Sequence, residues 1–227
     1  KNGEAMDRGH QIGVDLGRDA IRIEIARNPA VAEEIMITGA EAVALGALAG
    51  GCNYLCAYPM SPATSVLVNM ADYAKTADVI VEQVEDEVGV INMALGAWYA
   101  GARALASTSG GGFALMTEGI SLAGATEMPV VVHVAQRPGP ATGLPTRTEQ
   151  GDLNLVLYAG HGAFPRIILA PRGIEDAFTL SQRAFDLADK FQVPVFILTD
   201  QYLMDSYYNT PAFATDGMNI VPYVTET

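Results

Sequence analysis

Between residues 36 and 206, short apolar runs alternate with helix-patterned segments, and this alternation leaves few folds open. Thr38-Gly39-Ala40-Glu41 has capping-box spacing ahead of an Ala/Leu-rich helix that stops at Gly50-Gly51. Tyr54 to Ala57 reads as a strand, and Ser61-Pro62 as the start of the next helix, with Ser as N-cap. Strand Val79-Ile80-Val81, helix Asp86 to Tyr99, strand Ala104 to Ser107 and helix Phe113 to Ala123 follow. Val130 to Val134 is a continuous apolar run, the pattern of a strand buried on both faces. After a long loop, strand Ile167 to Leu169, helix Ile174 to Lys190 and strand Val195 to Leu198 close the series. Alternation of this kind predicts an α/β fold in three layers. Its sheet is six-stranded and mostly parallel, with helices on both faces. Ligands of such sheets sit at the carboxyl ends of the strands, so the loops after the strands carry the chemistry.

The flanks read differently. Residues 1–34 are charged and Gly-rich, with a brief alternation at Ile21, Ile23 and Ile25, and read as a tail, a linker or the remnant of a preceding domain. Residues 35–206 form the α/β domain, and 207–227 read as a linker toward a further domain. The chain starts at Lys1, as a fragment would. At 227 residues and 50% hydrophobic it can bury a sizeable core. Asp and Glu number 26 against 13 Lys and Arg, a formal charge of −13 that supplies no basic patch for nucleic acid or for an anionic membrane. Two cysteines, Cys52 and Cys56, exclude a disulfide scaffold and fit a reducing, cytoplasmic compartment. They are too few to hold a four-iron cluster, which takes about four thiolates. No apolar run approaches the roughly 18 residues of a membrane span, and no signal peptide is visible.

Four loops carry candidate chemistry. Tyr58-Pro59-Met60-Ser61-Pro62-Ala63-Thr64 offers two hydroxyls at a helix start, although an ordinary capped helix explains them equally. Glu82 to Glu87 holds four acids, of which Glu85 and Asp86 suit a first helical turn. Glu87 instead enters an apolar helix, where a carboxyl would have a raised pKa and could share a proton with a ligand nitrogen. Thr108-Ser109-Gly110-Gly111-Gly112-Phe113 permits close backbone approach to a ligand, or is simply a tight turn; it is neither a dinucleotide fingerprint nor a P-loop. The longest loop runs from Gln136 to Gly151, where Arg137 could pair with a substrate carboxylate or with a local acid. His133 lies within a strand and reads as a core histidine, and the two cysteines read as buried thiols.

Taken together and in order, these motifs resemble the alpha subunit of 2-oxoacid:ferredoxin (acceptor) oxidoreductases over about residues 36–206. They include Tyr58-Pro59-Met60-Ser61-Pro62, Glu85-Asp86-Glu87, Thr108 to Phe113, Gln136-Arg137-Pro138-Gly139-Pro140, Thr142 to Thr148 and Glu149-Gln150-Gly151-Asp152. The Gln-Arg-x-Gly-Pro and Gly-Leu-Pro-Thr patterns resemble the 2-oxoglutarate-type branch. The resemblance implies a thiamine diphosphate enzyme that decarboxylates a 2-oxoacid oxidatively to acyl-CoA. This chain would be its pyrimidine-binding domain. Glu87 would then bond N1′ of the aminopyrimidine and favour the imino form that deprotonates the thiazolium. Ser61 and Thr64 would contact substrate, Arg137 would hold its 1-carboxylate, and Pro59, Ser109, Gly110 and Gly111 would line the cofactor. A beta subunit would bring the diphosphate and Mg2+ site. Iron–sulfur clusters would lie on partner chains, with gamma and ferredoxin-like delta subunits as further partners. Coenzyme A would be co-substrate, and ferredoxin would take the electrons. No metal site is expected on this chain.

The sequence departs from the family pattern at Met60-Ser61, usually Ile-Thr, and at Gly111, usually Pro. No Gly-Asp-Gly followed by Asn is present to hold magnesium and diphosphate, so the chain would supply half of an interface site and be inactive alone. Two other readings compete: a non-catalytic assembly or regulatory module that keeps the fold, and a doubly wound nucleotide-binding domain.

Overall fold

The computed structural model describes residues 1–17, 25–215, 219–221 and 223. The chain forms two units, Lys1–Glu33 and Glu34–Thr227. In the first, α1 (Asn2–Gly17) is a helix with no buried residue, and Pro29–Val31 makes one 3₁₀ turn, its start capped by Asn28 Oδ1 accepting from the Ala30 amide. The stretch read as a tail is therefore largely helical. The alternation at Ile21 and Ile23 lies outside the described residues.

The second unit starts with β1 (Ile35–Thr38) and α2 (Gly39–Ala49). Thr38 and Glu41 form the capping box that the spacing predicts: the Thr38 hydroxyl accepts from the Glu41 amide, and the Glu41 carboxylate accepts from the Thr38 amide. There follow β2 (Tyr54–Ala57), α3 (Thr64–Tyr73), β3 (Ile80–Gln83), α4 (Glu87–Tyr99) and β4 (Ala104–Thr108). Then come α5 (Gly110–Leu115), α6 (Thr117–Thr126), β5 (Val130–Gln136) and α7 (Leu153–Tyr158). The series ends with β6 (Ile167–Leu169), α8 (Ile174–Phe191), β7 (Pro194–Asp200), α9 (Gln201–Asp205) and β8 (Tyr207–Thr210).

Six strands form one parallel sheet in the order β3-β2-β4-β5-β7-β6, as the alternation predicts. All seven residues of β5 are buried, matching its unbroken apolar run. Right-handed crossovers place α3 and α8 on one face, where both pack on α2, and α4 and α6 on the other. Helix α2 lies tightly on α8: a side chain at Gly46 would collide with the Phe178 carbonyl.

Three details differ from the sequence reading. Ser61 does not cap α3. The helix starts at Thr64 after a turn through residues 61–63, with Ala63 at the N-cap position and no side-chain cap. The segment read as one helix from Phe113 to Ala123 is two, α5 and α6, meeting at Met116. Tyr207–Thr210, within the stretch read as a linker, pairs antiparallel with β1, because an extended polar–aromatic run suits a two-stranded ribbon.

Candidate functional site

The chain runs outward from β2 to the edge strand β3, then returns past β2 to β4. The connections leaving β2 and β4 therefore depart on opposite faces of the sheet, which opens a crevice at their carboxyl ends. Its lips are the 58–63 turn after β2 and the Ser109-Gly110-Gly111 start of α5 after β4. The 84–86 turn and the long 137–152 loop flank it.

Glu87 is the first residue of α4 and is only 3% exposed. Asp86 caps the helix by accepting from the Gly89 amide at 2.7 Å, which leaves Glu87 free of capping duty. Glu87 Oε1 is buried and has no hydrogen-bond partner among the described residues. Burial holds its pKa above the usual carboxylate range; its own backbone amide and Arg137 oppose the shift, and Asp86 adds to it. A buried carboxyl with a free oxygen and a raised pKa is suited to share a proton with a ligand nitrogen. Gly112 closes over it: a Cβ there would fall on Glu87 Oε1 and on the Thr108 hydroxyl.

Arg137, 8% exposed, leaves the end of β5. It donates to the Ser61 carbonyl at 2.7 Å and to the Thr142 carbonyl at 2.9 Å. Burial pulls its pKa below the usual arginine range, and the charge of Glu87 works against that shift. The guanidinium thus ties two loops together and still has unspent N–H groups. Met60 fastens the opposite lip, its sulfur accepting from the Gly112 amide at 3.2 Å.

The structure gathers Glu87, Ser61, Arg137 and the start of α5 around one crevice, through the Arg137–Ser61 bond, the Met60–Gly112 bond and the fit of Gly112 over Glu87. Ser109 is fully buried, and its hydroxyl is also unpartnered among the described residues. Thr64 is less closely tied; it lines a surface cleft with Thr38, Glu41 and Met204, and no hydrogen bond joins it to Glu87 or Arg137. His133 is fully buried, with Nδ1 paired to the Ser107 hydroxyl at 2.9 Å and Nε2 to the Thr199 hydroxyl at 2.8 Å. Both cysteine thiols are buried and pushed up to about 12 by burial, which makes them poor nucleophiles. Among the described residues no group of His, Cys, Asp and Glu could hold a metal ion, and no helix is long and apolar enough to cross a membrane.

Residues 45–226 match the family model described as "Pyruvate flavodoxin/ferredoxin oxidoreductase, thiamine diP-bdg". The chain belongs to this thiamine diphosphate-binding family. It is 40% identical over 166 residues to 2-oxoglutarate synthase subunit KorA of Archaeoglobus fulgidus, covering 73% of this chain and 48% of that protein. It is 43% identical over 191 residues to the 2-oxoacid:ferredoxin oxidoreductase alpha subunit of Saccharolobus solfataricus, covering 79% of this chain and 30% of that one. The fold superposes with a TM-score of 0.85 on 2-oxoglutarate:ferredoxin oxidoreductase from Magnetococcus marinus, solved with 2-oxoglutarate, coenzyme A and succinyl-CoA bound. That match is 36% identical and covers 99% of this chain and 39% of the other. The chain thus spans half or less of the length of these relatives.

Within this thiamine diphosphate-binding family member, three features of the crevice escaped the sequence reading. They are the Met60 sulfur as acceptor, Gly112 as the glycine that admits Glu87, and Asp152 beside Gly110. The resemblance placed Asp152 in a motif without a role. Only a free carboxyl three residues after another loop acid, Glu149, could have drawn attention to it.

Proposed function

We propose that this chain supplies the pyrimidine-binding half of the active site of a thiamine diphosphate-dependent 2-oxoacid:ferredoxin oxidoreductase, with 2-oxoglutarate the favoured substrate. The observation that carries this reading is the buried, unpartnered oxygen of Glu87 in a crevice at the sheet's switch point. A buried carboxyl that keeps its proton can donate it to the ring nitrogen of an aminopyrimidine. When bound, thiamine diphosphate supplies the thiazolium carbon that attacks the 2-oxo carbonyl and accepts the electrons released with CO2.

The chain's own residues do the rest. Glu87 holds a proton at Oε1 toward the ring nitrogen. The Ser61 hydroxyl orients the substrate, and Thr64 extends that hydroxyl edge. Arg137 keeps the Ser61 turn in place and directs its remaining N–H groups to the 1-carboxylate. Pro59, Ser109, Gly110 and Gly111 would hold the cofactor's aminopyrimidine end, the bare glycine backbone permitting its approach. A beta subunit supplies the diphosphate and Mg2+ site; the iron–sulfur clusters sit on partner chains, with gamma and ferredoxin-like delta subunits in the assembly. Coenzyme A takes the acyl group and ferredoxin the electrons, in the cytoplasm.

The test is Glu87→Gln in the reconstituted complex, assayed for ferredoxin reduction with 2-oxoglutarate and coenzyme A. The expected loss is at least a hundredfold, about 2.7 kcal/mol of barrier. Turnover within about tenfold of the unsubstituted enzyme would overturn the assignment.

A further inference from the structure

We propose that Asp152 is a positioning residue for Glu87, acting across helix α5. Two carboxyls press on this short helix at two of its glycines. A Cβ on Gly110 would fall on the Asp152 carboxylate, and one on Gly112 would fall on Glu87. No side chain of α5 fills either contact, so the helix backbone itself is the spacer between the acids. Asp152 is fixed in turn: its amide donates to Gln136 Oε1 at 2.9 Å, and Gln136 Nε2 donates to the Thr199 carbonyl at 3.1 Å. Gln136 is 4% exposed and directly precedes Arg137, which holds the Ser61 turn. The end of β5 therefore steadies both lips of the crevice, one through Arg137 and the other through Gln136, Asp152 and α5. Asp152 Oδ2 is buried without a hydrogen-bond partner among the described residues, and burial together with the charge of Glu149 raises its pKa. Asp152 thus sits against α5 chiefly as a shaped wedge, and no salt bridge joins it to a described residue.

The groups facing Glu87 are few. Asp86 lies on its own turn, Arg137 at the end of β5, and the Cys56 thiol on β2 donates to the Val90 carbonyl one turn along α4. Helix α5 carries no charge (Gly-Gly-Gly-Phe-Ala-Leu), and Glu118 on α6 is exposed. The dryness of Glu87 therefore depends on how closely α5 is pressed to it.

The inference rests on the catalytic reading of Glu87. It is tested in the reconstituted complex by the pH dependence of kcat/KM for Asp152→Ala and Asp152→Asn. In the Ala variant α5 relaxes and water reaches Glu87. The alkaline limb, where Glu87 loses its proton, is expected to move down by at least about half a pH unit and kcat to fall about fivefold, with KM for the 2-oxoacid within about twofold. Asn keeps the shape and loses the charge, so it is expected to restore kcat and the limb to within about twofold of the unsubstituted enzyme. An unshifted limb in the Ala variant overturns the inference, and so does an Asn variant as impaired as Ala. Should the Ala variant not assemble, Gly110→Ala crowds the same contact and is read by the same limb. Glu87→Gln is assayed alongside: if it stays active, the catalytic reading falls and takes this inference with it. If it is inactive while the Asp152 series is silent, only this inference falls.

Discussion

At the scale of single residues, Glu87 carries opposite demands of folding and chemistry. Burial raises its pKa, so between its ordinary and raised values the folded chain binds more protons than the unfolded chain. Its contribution to stability is therefore present at acid pH and is lost as pH rises through the raised value. Glu87→Gln removes the charge that must otherwise be buried at neutral pH. Thermal unfolding near pH 7.5 should show Tm raised by Glu87→Gln; an unchanged or lower Tm would count against a carboxyl buried at a cost. Met60 allows a second test. Met60→Leu keeps the volume but strands the Gly112 amide, and urea unfolding should register a loss of about 1 kcal/mol. At this scale the sequence was partly legible. Glu87 stood out because an acid entering an apolar helix is a local conflict. The Met60 acceptor and the Asp152 wedge did not, because each joins residues more than 40 positions apart and no local pattern records such a contact.

Elements were read more securely where side chain and backbone act within a few residues. The Thr38–Glu41 capping box is local, and the helix begins where its spacing says. Thr38→Ala should cost about 1 kcal/mol in urea unfolding, since it removes the acceptor for the Glu41 amide; a change below a few tenths would show that the helix is held by packing on α8 alone. Ser61-Pro62 imitates the same signal and misleads. Ser before Pro is a common helix start, but here residues 61–63 form a turn and the helix begins only at Thr64. The β1–β8 ribbon escaped for a related reason. Its partners are about 170 residues apart and Tyr207–Thr210 is not strongly apolar, so the pairing registers only once the chain is folded.

For the whole molecule, the alternating pattern was enough to predict a parallel six-stranded sheet, because apolar runs buried on both faces admit few other arrangements. Strand order was not legible, and it is the order that puts the crevice beside β2 and β4. The sheet is also stitched by His133, which links β4 to β7 across β5. Burial lowers its pKa to about 3 from the ordinary 6.5 of an imidazole. Between those values the unfolded chain takes a proton that the folded chain refuses, so stability falls as pH drops below 6.5, by up to about 1.4 kcal/mol per pH unit. His133→Gln should flatten that slope in urea titrations between pH 7 and 4, and equal slopes would mean the ring is protonated when folded. The packing of α5 bears on heredity as well. Any single-base missense change in the codons for Gly110 or Gly112 adds a side chain directly onto a carboxylate. A substitution at either position must therefore swing the Asp152 or Glu87 carboxylate aside, and so reshapes the crevice from behind.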